Sequence, residues 1–156
     1  MKWRLGVCTA LALFVLAAPH AETAGTDKAA AINWLTFEKA QQYKNGDRKF
    51  FIYFHAEWCG YCHKLKKNAF ADAEIIDYLN THYIPVIVDT DKDQRLAARF
   101  GVQGLPDLRF LTPAGEDLAR WPGYIEKDHL LNMLQFIHTD SFGKMSFKDF
   151  VKQKKK

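Results

Sequence analysis

The sequence predicts an α/β domain with a central mixed β-sheet flanked by helices. Runs rich in aromatic and β-branched residues at 49–56, 83–88 and 108–111 alternate with segments of helical period. Thr112-Pro113-Ala114-Gly115 then turns the chain into 117–121, which makes a hairpin. With 156 residues there is material for one core and too little for two ordinary domains. The order βαβα, then β-hairpin, then α, combines parallel and antiparallel pairing and leaves helices on both faces.

Each element has its own signal. Ile32, Leu35, Phe37, Ala40 and Tyr43 predict a first amphipathic helix over 32–43, stopped by Asn45-Gly46-Asp47. In the strand 49–56, alternation places Tyr53 with His55 on one face and Phe54 with Ala56 on the other. Cys62, Leu65 and Ala69 recur at helical spacing over 59–70, and Asp72 caps a second helix or an extension of the first. Pro85 weakens the first half of the strand 83–88. Residues 93–100 form a short helix ended by Gly101, and Leu130, Leu131, Leu134 and Ile137 share one face of a helix over 126–138. After Ser146, the residues Phe147, Phe150 and Val151 make one more amphipathic piece before the terminal lysines.

The N-terminus differs in character. Lys2 and Arg4 precede a 14-residue apolar run from Leu5 to Ala18, and no acid occurs before Glu22. That is the pattern of a secretory signal, expected over 1–21, and it is shorter than the roughly 20 apolar residues of a membrane span. Residues 22–31 read as a flexible lead-in, 32–138 as the domain, and 139–156 as a C-terminal amphipathic extension with a basic end. Loss of 1–21 removes Lys2, Arg4 and no acid, lowering the net charge from +4 to +2, a balance that argues against nucleic acid as a partner. Cys8 leaves with the signal, so Cys59 and Cys62 are the cysteines of the mature chain. Export implies an oxidising, periplasmic setting without stable membrane insertion, and a lone pair of cysteines there is functional rather than a framework of staples.

The chemistry centres on Trp58-Cys59-Gly60-Tyr61-Cys62-His63. A strand delivers Cys59 to a helix N-terminus, where unpaired N–H groups and the helix dipole favour the thiolate. Cys62 lies one turn on, within reach to resolve a mixed disulfide. Cys59 is therefore the expected nucleophile and Cys62 the resolving thiol.

The stretch from Phe54 to Cys62, with Gly104-Leu105-Pro106 just before a later strand, resembles the thioredoxin family over about residues 32–138. Phe70-Ala71-Asp72 and the Ser146–Phe150 tail are most similar to exported bacterial members, SoxW-like proteins and the C-terminal domain of DsbD. The resemblance implies a thioredoxin fold, a cis peptide bond before Pro106, and a docking surface for extended substrates made by Trp58, Gly60, Tyr61, Leu105 and Pro106. It implies a thiol–disulfide oxidoreductase, without cofactor or metal. A monomer is expected.

Two departures from the family pattern bear on mechanism. Tyr53 stands where the family often has a buried Asp that assists proton transfer, and a phenol of ordinary pKa near about 10 is no base at neutral pH. His63 and His55 are the candidate proton carriers, since imidazole titrates near neutrality, while Glu57 reads as solvent-facing. Gly60-Tyr61 replaces the dipeptides of the known reductants and oxidants, and potentials across the fold span about 150 mV, or about 7 kcal/mol. Tyr61 adds no cation to hold the Cys59 thiolate, which favours a reductant of envelope-protein disulfides fed by a membrane electron donor. Isomerase or oxidase activity is the alternative within the fold. Two readings lie outside it. Cys59-x-x-Cys62-His63 also spells a c-type haem attachment site, with Met133 or Met145 as distal ligand in a mostly helical domain. A zinc or copper site would draw on the cysteine pair with His55, His63 or His82, and it lacks the second cysteine pair usual in structural zinc sites.

Overall fold

A computed structural model describes residues 31–154; the expected signal and nearly all of the lead-in lie outside the described residues. Four strands, β1 (Lys49–His55), β2 (Tyr83–Asp89), β3 (Asp107–Leu111) and β4 (Asp117–Pro122), form one sheet in the order β2-β1-β3-β4. β1 runs parallel to β2 and antiparallel to β3, and β3 and β4 are the hairpin. This is the mixed sheet that the element order predicts.

Helices cover both faces. On one side α2 (Gly60–Asn68), α3 (Ala73–His82) and α5 (Lys127–His138) pack Leu65, Ile75, Leu79, Leu130 and Leu134 against Phe51, Tyr53, Leu108 and Phe110. On the other, α1 (Phe37–Ala40) and α4 (Gln94–Arg99) contribute Ala40 and Leu96 to a smaller cluster with Phe50, Ile52, Phe54 and Val86. A central strand covered on both faces has no polar side to present, so Phe50-Phe51-Ile52-Tyr53-Phe54 is a continuous apolar run. Phe51, fully buried, has the rings of Phe110 at 5.3 Å and Phe70 at 6.2 Å.

The first helix is shorter than its pattern predicts. Leu35 is extended and bridges Val86, donating its N–H to the Pro85 carbonyl and accepting from Ile87 N–H. The helix starts only after Thr36, whose hydroxyl caps Lys39 N–H, and a 3₁₀ turn at Gln41–Tyr43 ends it. The free outer edge of β2 offers ladder bonds, and these outcompete one more helical turn at Ile32–Leu35. The same bridge explains how β2 holds a proline. The N and O of a strand residue point the same way, and the Pro85 carbonyl points outward to Leu35, so the missing N–H is lost from the edge and not from the ladder to β1.

Asp72 caps a separate helix α3, its carboxylate accepting from Glu74 and Ile75 N–H. Ala56 joins the cluster of Tyr53 rather than that of Phe54, because β1 ends at His55 and strand alternation ends with it. The last helix, α6 (Phe147–Lys154), packs on α5: Phe147 and Phe150 lie 5.4 and 5.3 Å from the Phe136 ring, and Ser146 caps the helix through Asp149 N–H. Phe51→Ala is expected to cost about 3–5 kcal/mol of folding free energy, seen as a lower urea midpoint at unchanged slope.

Candidate active site

Four chain segments meet at one end of the sheet because of its register. His55, the last residue of β1, pairs with Asp89, the last of β2. Phe54 pairs with Asp107, so Pro106 enters β3 at the level where His55 leaves β1. Asp107 also pairs with Pro122, which puts Gly123 and Tyr124 at the same end. Sites in α/β sheets form at such carboxyl ends of parallel strands.

Cys59 is the N-cap of α2, with extended backbone, and its Sγ accepts the Cys62 backbone N–H at 3.1 Å. Cys62 N–H and His63 N–H also point at the Cys59 carbonyl, at 3.0 and 3.1 Å. The first-turn donors of the helix thus converge on Cys59, and one of them reaches the sulfur itself. Such a donor favours the thiolate over the thiol. The two cysteines are joined as a disulfide, Cα atoms 5.2 Å apart. Cys59 keeps 5% of its surface and Cys62 1%, so the first cysteine is the more exposed of the pair.

The sequence-predicted docking residues lie at the same end of the sheet as this pair. Trp58 is 72% exposed and Tyr61 64%, unusual for large apolar side chains. The Trp58 indole N–H donates to the Asp91 carboxylate at 3.0 Å, which fixes an otherwise free ring. A Cβ added at Gly60 meets open space, so this glycine leaves room above the motif and is not demanded by packing. Leu105 touches both core clusters, the Leu105–Pro106 peptide is cis, and the Pro106 carbonyl accepts Gly123 N–H at 2.7 Å.

The candidate proton carriers have distinct settings. His63 is exposed, and its Nε2–H donates to the Glu57 carbonyl at 2.7 Å, tying α2 to the loop that carries Trp58. His55 is buried and stacks on the Tyr53 ring at 5.3 Å, and its Nδ1 finds no hydrogen-bond partner among the described residues. Burial, with Lys66 adding, pushes the His55 imidazole below its ordinary pKa, which keeps it neutral. The Tyr53 phenol is pushed well above its ordinary value by burial first and Glu57 second, and its hydroxyl lies 3.4 Å from the Cys62 carbonyl. It stays protonated and cannot serve as a base.

Sequence reasoning missed Asp91, Tyr124 and Lys64. The Tyr124 ring lies 6.2 Å from Tyr61 and under the Lys64 ammonium at 4.1 Å, extending the aromatic surface. These contacts join residues far apart in the chain, and no local pattern announces them. Among the described residues, no three His, Cys, Asp or Glu side chains gather to hold a metal ion. The mostly helical domain that the haem reading requires is not this fold, and the imidazole Nε2 of His63 is already bonded.

A disulfide-forming pair at a helix N-terminus on this sheet defines a thiol–disulfide oxidoreductase. The chain belongs to the thioredoxin-like family, whose "Thioredoxin-like domain" model matches residues 36–138. It is 33% identical over 116 residues to a thioredoxin of Borreliella burgdorferi, covering 67% of this chain and 89% of that one. It is 28% identical over 105 residues to the disulfide bond reductase DsbH of Chlamydia pneumoniae, covering 59% of this chain and 63% of that protein. The solution structure of a thioredoxin from Thermus thermophilus superposes with a TM-score of 0.62 at 27% identity, covering 69% of this chain and 87% of the other. The chain spans only 17% to 22% of the length of three disulfide isomerases that it also matches.

Two imidazoles, the buried His55 and the half-buried His138, carry a pH dependence. His138 is also lowered, by burial first and then by the stacked His82 and by Lys49. In the unfolded chain both rings take a proton near about pH 6.5, and in the folded protein only at lower pH. The unfolded state binds more protons in that window, so stability present above it is lost as pH falls through it. The melting temperature is expected to drop from about pH 7 to about pH 5, and the pair His55→Gln and His138→Gln to flatten that slope.

Proposed function

We propose that the protein is exported and reduces disulfides of envelope proteins, with Cys59 as nucleophile and Cys62 as resolving thiol. The observation that carries this reading is the Cys62 N–H directed at the Cys59 sulfur, beside the greater exposure of Cys59. In the reduced enzyme the Cys59 thiolate attacks a substrate disulfide. One substrate sulfur leaves as thiolate and takes a proton, and a mixed disulfide forms. Cys62 then loses its proton and attacks Cys59 Sγ, releasing the second substrate thiolate, and the enzyme is left as the Cys59–Cys62 disulfide. Two electrons have passed to the substrate. A dithiol of a membrane-bound donor returns them.

His55, held neutral by burial beside the Tyr53 ring, and His63, which bonds the Glu57 carbonyl, are the two candidates to take the Cys62 proton. Trp58, Gly60, Tyr61, Leu105 and Pro106 form the surface that receives an extended substrate segment. Reduction is favoured over oxidation because no cationic side chain sits between the cysteines to stabilise the thiolate further. The printed name of the Chlamydia relative, a disulfide bond reductase, supports the same direction. The signal pattern over 1–21 supports export, and among the described residues no helix is long and apolar enough to cross a membrane.

Cys59→Ser is expected to abolish insulin reduction, and Cys62→Ser to accumulate a mixed disulfide visible on a non-reducing gel. Equilibration against glutathione is expected to give a potential near about −270 mV. A value near about −120 mV would reverse the direction of electron flow, and full activity of Cys59→Ser would remove the mechanism.

A further inference from the structure

Behind the Leu105–Pro106 segment lies an ion cluster that the thiol chemistry does not use. Asp107 follows Pro106 directly and is fully buried. It alternates with Leu108, which faces the cluster containing the cysteines, so the carboxylate sits on the opposite side of the sheet. Its Oδ1 accepts Arg109 Nε–H at 2.9 Å. Its Oδ2 accepts Arg120 Nε–H at 3.0 Å and Nη2–H at 2.6 Å. Arg109 is itself buried and also donates to the Phe100 carbonyl, while Arg120 Nη2 reaches the Gly101 carbonyl at 3.5 Å.

Phe100 and Gly101 are where α4 ends, with Gly101 in the left-handed region at φ 59°. The loop 101–106 therefore leaves α4 at carbonyls gripped by two arginines and enters β3 at a carboxylate gripped by the same two. Gln103 and Gly104 are exposed, and the backbone bonds of the loop among described residues are Gly101 N–H to Ala98, Val102 N–H to Ala97 and Gly123 N–H to Pro106. The shape of the loop depends on how its ends are held. Stability alone does not account for the cluster. Desolvating a carboxylate and a guanidinium costs several kcal/mol each, and apolar residues of similar size would often serve as well. A forked, charge-assisted set of bonds does supply fixed geometry.

We propose that Asp107, Arg109 and Arg120 form a clamp that positions the Leu105–Pro106 segment for protein substrates. This rests on the reading that Leu105 and Pro106 receive the substrate. The three are positioning residues, on the sheet face away from the sulfurs. A protein disulfide must dock on the loop before Cys59 can attack it, whereas a small aromatic disulfide reaches Cys59 without the loop.

The test is Arg120→Gln in the full mature chain, chosen because this arginine is more than a third exposed. The KM for insulin is expected to rise about tenfold, with kcat and the rate of reduced enzyme with a small aromatic disulfide within about twofold. Amide exchange at Gln103–Leu105 is expected to quicken. Should Arg120→Gln not fold, Arg120→Lys keeps the charge on Asp107 without the fork that reaches Gly101, and a KM rise of about threefold is expected. An unchanged KM in a folded variant, or an equal loss toward the small disulfide, overturns the clamp. Pro106→Ala is the companion: if it raises the insulin KM and Arg120→Gln does not, the clamp alone fails, and if neither does, the docking reading fails with it.

Discussion

Everything at the active end of this protein depends on a backbone N–H aimed at a sulfur atom. The donor belongs to the first turn of α2, where it is shared between the Cys59 carbonyl and the Cys59 sulfur. The sulfur belongs to the residue that caps that turn. Thiolate formation is thereby coupled to helix geometry, and helix geometry to where β1 ends. β1 can be a central strand only because its side chains are apolar on both faces, and that burial anchors the start of α2.

Around this point the protein departs from what its family often does. Tyr53, in place of an acid, stays uncharged because burial raises its pKa, and it adds ring area to a core already rich in aromatics. Proton acceptance then falls to imidazole. Two imidazoles that look equivalent in sequence differ in their surroundings: one donates to a loop carbonyl in the open, and the other is buried against a phenol ring. The Asp107 ion cluster lies on the sheet face away from the cysteines.

Elements longer than a few residues were legible because burial on two faces leaves a pattern in the chain. Leu65 and Ala69, spaced from Cys62 by helical steps, could face only inward, and the hairpin turn of Thr112–Gly115 has its own chemistry. The first helix was overread. Ile32 and Leu35 fit a helical stripe, yet an open sheet edge beside Pro85 took Leu35 into a bridge. The face of Ala56 was misread for a related reason, since alternation holds only while the strand lasts. The packing of Phe147 and Phe150 on Phe136 was open from sequence, as an apolar stripe does not name what covers it.

By itself, the sequence determined the mixed α/β class, the cysteine pair, and the identity of the residues around it, because these follow from local period, turn chemistry and side-chain reactivity. Tertiary structure decided which groups meet. The Trp58–Asp91 bond, the Tyr61–Tyr124–Lys64 surface, the separate settings of His55 and His63, and the grip of Arg109 and Arg120 on Asp107 all depend on strand register. Register is a property of paired strands, set when two faces are buried at once, and no single segment of the chain encodes it.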